Sequence, residues 1–154
     1  MTMALDKQIA AIAEQYAAAK VPYRHRGTSR RGCDCTGLII GILQELGFLR
    51  DFVLRPYPPD WNLHSGAGNQ IIDELERVGD RVNKDESRPG DVAVIHWGRC
   101  PAHCGVICHG PRRPMMVHAF YTAGRCQYAM LENSPWSKRW RRTYRISEDK
   151  LANA

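Results

Sequence analysis

Gly32-Cys33-Asp34-Cys35-Thr36-Gly37-Leu38 runs directly into the apolar stretch Leu38-Ile39-Ile40-Gly41-Ile42-Leu43. That order places the thiol of Cys35 in the first turn of a helix. Unpaired backbone N–H groups and the partial positive charge of a helix start favour an anion there. A thiolate is the anion on offer, and such positions lower a cysteine pKa from ~8.5 into roughly the 3.5–7.5 range. Far downstream, His103-Cys104-Gly105-Val106-Ile107 and Met116-Val117-His118-Ala119 each set one histidine on a predicted β-strand. A helical half supplies the thiol and a strand half supplies the imidazoles.

Working outward, residues 4–19 predict an amphipathic helix with Leu5, Ile9, Ile12, Ala13 and Tyr16 on one face, ended by Pro22. A basic loop from Arg24 to Gly32 leads to the Cys35 helix, which runs to about Leu46 with Gly47 as its stop. Residues 51–62 carry Pro56, Tyr57, Pro58, Pro59 and Trp61 and predict an ordered loop. A third helix covers roughly 68–78, with Ile71, Ile72, Leu75 and Val78 inward. From Pro89-Gly90 the pattern changes to strands at Asp91–His96, 103–108, 115–120 and 126–131, with a last one near Arg142–Ile146. Helices first and a short-turn meander afterwards predict an α+β fold, N-terminal helices packed on an antiparallel β-sheet, in one domain over residues 1–154.

Composition narrows the function classes. With 44% hydrophobic and 25% charged residues the chain falls in the globular range. No apolar stretch approaches the ~18–20 residues of a membrane span. Asp6, Lys7, Glu14 and Gln15 interrupt the N-terminus, which does not resemble a signal peptide, so synthesis in the cytoplasm without an export signal is expected. Six cysteines without such a signal are expected to be mostly reduced. A formal charge of +6 suits an anionic partner, whether wall polymer, nucleic acid or acidic protein.

Alternation along the 103–108 strand turns His103, Gly105 and Ile107 one way and Cys104, Val106 and Cys108 the other. A register with 103 or 105 opposite 118 puts both imidazoles on one face, and a slip by one residue separates them. The chemistry then assigns roles. Cys35 is the nucleophile, His103 takes and returns its proton, and His118 orients the His103 ring. An oxyanion would meet the Cys35 backbone N–H. Two other readings compete. Cys100, His103, Cys104, Cys108 and His109 are dense enough to suggest zinc, but strand alternation would scatter them over both faces, and no metal or cofactor is expected. Lys138, Arg139, Arg141, Arg142 and Arg145 interleave with Trp136, Trp140 and Tyr144, a pattern open to nucleic-acid contact. A solvated basic face with its aromatics packed on the core accounts for it better. A non-catalytic tail-assembly or binding module that keeps the fold would lack the nucleophile or the base, and both are present.

Pro22-Tyr23, Gly32 to Leu38, Pro89-Gly90-Asp91-Val92, His103-Cys104-Gly105-Val106 and Met116-Val117-His118-Ala119 together resemble the NlpC-type cysteine peptidases of bacterial cell-wall hydrolysis. The resemblance implies a papain-like fold and metal-free cleavage of peptidoglycan stem peptides through an acyl-enzyme. The bond it implies is typically that between γ-linked D-glutamate and diaminopimelate. It also implies that Tyr23 lies near the oxyanion site and that Asp34 shapes the substrate pocket, with a plain core tyrosine and a helix cap as the respective alternatives. Thr36 stands where many members carry serine, and the segment between Ile95 and His103 is long. Pro56 to Trp61 and the Trp- and Arg-rich C-terminus resemble the phage-tail and gene-transfer-agent branch. That branch implies tail proteins as partners and carriage in a tail-like particle, with release to the wall through a separate membrane pore at lysis, or secretion by a contact-dependent injection system, as the alternatives.

Overall fold

A computed structural model describes residues 3–52, 65–109 and 113–154, with side chains from Gln70 onward in the second segment. The predicted loop around Pro56 to Trp61 and the turn through Gly110-Pro111 lie outside the described residues. Three helices come first: α1 (Leu5–Ala18), α2 (Cys35–Glu45) and α3 (Ser65–Val78). Between α1 and α2 the basic loop folds into a two-residue ladder, β1 (Thr28–Ser29) with β2 (Gly32–Cys33). The rest is mostly strand: β3 (Gly79–Val82), β4 (Val92–Trp97), β5 (Cys100–His109), β6 (Met115–Phe120), β7 (Arg125–Met130) and β8 (Trp140–Ile146), closed by the short α4 (Glu148–Ala152). These six strands form one antiparallel sheet in the order β3-β8-β4-β5-β6-β7.

Alternation along the strands builds two cores. Val92 and Val94 of β4, Cys104 and Val106 of β5 and Val117 of β6 face the helices, where they meet Ile9 and Ala13, Leu38 and Ile42, and Ile71 and Leu75. Fully burying one such aliphatic side chain is worth about 1.5–3 kcal/mol, so this face holds the helices on the sheet. The opposite face carries Ala93, Ile95, Ile107 and Met116, a smaller cluster covered by Leu131, Trp136 and Trp140 from the end of β7 onward.

α2 is the element that matters for the site, and both its ends are fixed. Gly47 adopts φ 90°. Its N–H donates to Gln44 O at 3.0 Å while Phe48 N–H donates to Leu43 O at 2.9 Å, satisfying carbonyls the helix leaves open. The turn into β4 is held by a buried carboxylate. Asp91 accepts from Arg145 Nε at 3.0 Å, from an Arg145 terminal nitrogen at 2.9 Å and from the Arg88 N–H at 2.9 Å.

Candidate active site

Asp34 caps α2. One carboxylate oxygen accepts the Gly37 N–H at 2.8 Å and the other accepts the Arg26 N–H at 2.8 Å. The aspartate thus ties the basic loop across the helix start, and a Cβ at Gly37 would run into the Gly27 carbonyl that lies there. The cap takes the Gly37 N–H and leaves the N–H groups of Cys35 and Thr36 without intrahelical acceptors, as the first turn of a helix requires. Asp34 is 2% exposed, so it acts on the site through the backbone it holds.

Cys35, 6% exposed, is the first residue of α2. Its thiol is held well below the usual range, first by a hydrogen bond from the Cys104 thiol, then by the hydrogen bond and charge of His103 and by Thr36, against the opposing effect of burial. The Thr36 Oγ1 lies 3.8 Å from the sulfur. The same contact and burial push the Cys104 thiol well up.

The strand register brings the two histidines together. Val106 stands opposite Val117 and Ile107 opposite Met116. Continued by one pair, that register sets Gly105 beside His118, the second of the two arrangements that put 103 and 118 on one face. A Cβ at Gly105 would lie 2.6 Å from Met116 Sδ and 3.2 Å from His118 Cβ, so glycine is what lets β6 approach. His103 Nε2 then sits 2.7 Å from His118 Nδ1. Burial, reinforced by His103, lowers the His118 pKa to about 3. His118 is therefore neutral at any ordinary pH, and a neutral His118 can accept the His103 Nε2–H at its Nδ1.

Two aromatic rings surround this pair, and neither was singled out for the site from sequence. Phe120 stacks on His118 with centroids 5.1 Å apart, and Trp136 stands edge-to-face to His118 at 5.1 Å and 5.7 Å from His103. His118 Nε2 is buried and finds no hydrogen-bond partner among the described residues, which leaves the rings as its neighbours. Phe120 lies two residues beyond His118 on the same strand face, a signal that was available. Trp136 lies in a turn and gives no periodic signal.

Of the remaining predicted residues, Tyr23 is half-buried, pairs edge-to-face with Tyr121 at 5.5 Å and lies alongside Cys33 in an isolated bridge. Its hydroxyl pKa is raised by burial and then by Cys35 and Asp34. Thr36 also lines an apolar pocket with Ile39, Ile40 and Cys104. The long segment before His103 is a hairpin: Trp97 pairs with Cys100 across a turn at Gly98.

In the basic C-terminal stretch, Trp140 and Tyr144 are buried, Arg139 lies over Trp97 at 4.6 Å, and Arg145 is committed to Asp91. The zinc candidates separate. Cys104 faces the helices and His103 the opposite side. Among the described residues, one different group, Glu14, Cys108 and His109, brings its donor atoms within 4.8 Å of one another. The β5–β6 register shift between Ile107 and His109 is what breaks alternation there. Burial and then Glu14 push the Cys108 thiol up to about 12.

Comparison with known proteins agrees with this arrangement. The family model for the NlpC/P60 family matches residues 20–145. A Haemophilus influenzae protein named "Probable endopeptidase" is 29% identical over 135 residues, covering 86% of this chain and 71% of its own. The Escherichia coli protein "Probable endopeptidase NlpC" is 26% identical over 127 residues, 81% of this chain and 69% of its own. Among solved structures, the NlpC/p60 domain of peptidoglycan hydrolase SagA superposes with a TM-score of 0.60 at 14% identity, covering 94% of this chain and 99% of that one. NlpC2 from Trichomonas vaginalis does so with 0.64 at 18% identity, covering 95% and 48%. Those two likenesses establish the fold, and the match along residues 20–145 establishes more: this chain belongs to the NlpC/P60 family.

Proposed function

We propose that the chain is a cysteine endopeptidase that hydrolyses peptide bonds in peptidoglycan stem peptides, with Cys35, His103 and His118 as its triad. The observation that carries this is the 2.7 Å contact between His103 Nε2 and His118 Nδ1 next to a helix-start thiol. With Nε2–H committed to His118, the free Nδ1 of His103 is the nitrogen available to the Cys35 proton. The Cys35 thiolate attacks the scissile carbonyl and the imidazolium of His103 forms beside it. The tetrahedral oxyanion meets the N–H groups that the Asp34 cap leaves open at Cys35 and Thr36. His103 then gives its proton to the leaving amine, and a thioester remains on Cys35. A water molecule, deprotonated by the same imidazole, attacks the thioester and restores the thiol. No step calls on a metal.

Stem peptides carry free carboxylates, and a chain with a formal charge of +6 is suited to them. The bond between γ-linked D-glutamate and diaminopimelate is the proposed target. The proposed route to the wall is carriage in a tail-like particle, supported by the likeness of Pro56 to Trp61 and of the C-terminal stretch to tail-associated members. Purified sacculi digested with the protein and analysed by mass spectrometry should yield peptides with a new amine at the diaminopimelate residue. Cys35→Ala should yield none. Unchanged digestion after alkylation of every thiol would end the proposal. Purified particles that lack the polypeptide, while lysed-cell supernatant contains it, would replace tail carriage by release at lysis.

A further inference from the structure

Cys104 has no part in the mechanism above, yet it sits at the nucleophile. It comes from the β5 face that packs on α2, and its Sγ lies 3.5 Å from the Cys35 carbonyl oxygen. That contact sets the Cys104 thiol against the backbone of the nucleophile residue itself. Both residues sit on regular elements fixed by the main core, so the two are held as neighbours. Cys104 is 1% exposed. A thiol sealed from solvent cannot react with an outside partner, but it can react with the sulfur of the residue it packs against.

We infer that Cys35 and Cys104 form a reversible intramolecular disulfide when a hydroperoxide reaches the site, so that Cys104 is the resolving thiol of the nucleophile. The inference rests on Cys35 being the reactive thiol of the proposed peptidase. The Cys35 thiolate attacks one oxygen of hydrogen peroxide. A sulfur–oxygen bond forms, the oxygen–oxygen bond breaks, and the departing hydroxide takes the His103 proton and leaves as water. Sulfur is oxidised to the sulfenic acid and peroxide is reduced. Cys104 sulfur then attacks Cys35 sulfur. The sulfur–sulfur bond forms, the sulfur–oxygen bond breaks, and hydroxide leaves with the Cys104 proton as a second water. An external dithiol reverses the change, returning both thiols as it becomes a disulfide itself. Without a resolving thiol, a sulfenic acid proceeds to sulfinic and sulfonic acids that such a reductant does not repair.

A second close pair supplies an internal comparison. Cys33 and Cys126 have sulfurs 3.5 Å apart. Both are at most 1% exposed, whereas Cys35 is 6% exposed. Peroxide should therefore act on Cys35 first.

The test treats the purified full-length protein with limiting hydrogen peroxide, blocks remaining thiols, and digests with trypsin and an enzyme that cuts before aspartate, which separates Cys33 from Cys35. Mass spectrometry without reduction should find the Cys35 peptide linked to the peptide that begins at Cys100, with fragmentation locating the bridge at Cys104. Activity on sacculi should be lost and restored by dithiothreitol. Peroxide-treated Cys104→Ala should instead carry sulfinic or sulfonic acid at Cys35, with activity lost for good. Sulfinic acid at Cys35 of the wild type with Cys104 unlinked would overturn the inference, as would a bridge confined to Cys33 and Cys126. The linked peptide is read without any substrate, so a protein that bridges but never cuts sacculi would sink the peptidase proposal and leave this one standing.

Discussion

Replacing His118 by glutamine should flatten the acid side of the stability profile. The folded chain keeps His118 neutral down to about pH 3 because the imidazole is fully buried. In the unfolded chain the same residue takes up a proton at its ordinary pKa of about 6.5. The sign follows: above that value the histidine adds no pH dependence, and as pH falls below it the unfolded state binds a proton the folded state refuses. Stability then drops by about 1.4 kcal/mol for each pH unit until about pH 3. Between about pH 7.5 and pH 4.5 the loss from this one residue is ~2.7 kcal/mol. Glutamine does not titrate, and its side-chain carbonyl can still accept the His103 Nε2–H. Urea unfolding followed by tryptophan fluorescence at the two pH values measures the effect, because every other titrating group is common to both proteins. The wild type should lose ~2–3 kcal/mol more than His118→Gln across that interval. Equal losses would mean that His118 charges in the folded state, and the tautomer assigned to the His103–His118 contact would be wrong.

Substitutions at the proposed triad should separate by role on sacculi: Cys35→Ala should abolish turnover, His103→Ala should cost roughly 10²–10⁴-fold, and His118→Ala, removing only the proposed orienting ring, should leave more activity than His103→Ala. Trp136→Ala should lower kcat by roughly ten-fold with the fold intact by circular dichroism, because water then competes for the 2.7 Å histidine contact, while Trp136→Phe should retain most activity. Arg145→Met should destabilise the chain by ~3 kcal/mol in urea unfolding, since it strands the buried Asp91 carboxylate, and a loss under ~1 kcal/mol would show that the backbone N–H of Arg88 suffices to hold it.

Much of this arrangement is legible in the sequence because it depends on local periods. Cys35 at a helix start follows from an apolar run that begins just after Asp34, and the facing histidines follow from strand parity with Gly105 between them. The aromatics of the C-terminal stretch pack inward, as a solvated basic face with buried rings predicts. What was missed lacks a period. β3 follows α3 with no break and reads Gly-Asp-Arg-Val, its middle two residues exposed, so alternation could not reveal it. The pairing of β8 between β3 and β4 joins segments far apart in sequence. The five-residue α4 is too short for an apolar face, although Ser147 caps it by accepting the Lys150 N–H at 3.3 Å. Trp136 and Cys104 reach the site through tertiary packing: one lies in a turn, and the other is on the strand face away from the imidazoles.

The pH dependence of Cys35 alkylation tests the central claim most directly, because it asks whether the helix start, His103 and Cys104 together hold a thiolate. The protein is pulsed with iodoacetamide across the neutral range, and modification at Cys35 is read by mass spectrometry in the wild type and in His103→Ala. For a thiolate held well below the usual range, the wild-type rate should change by less than about two-fold between roughly pH 6.5 and pH 8. In His103→Ala the rate should fall toward the acid end. A wild-type rate that climbs about ten-fold per pH unit, as for an ordinary thiol of pKa ~8.5, would contradict the account.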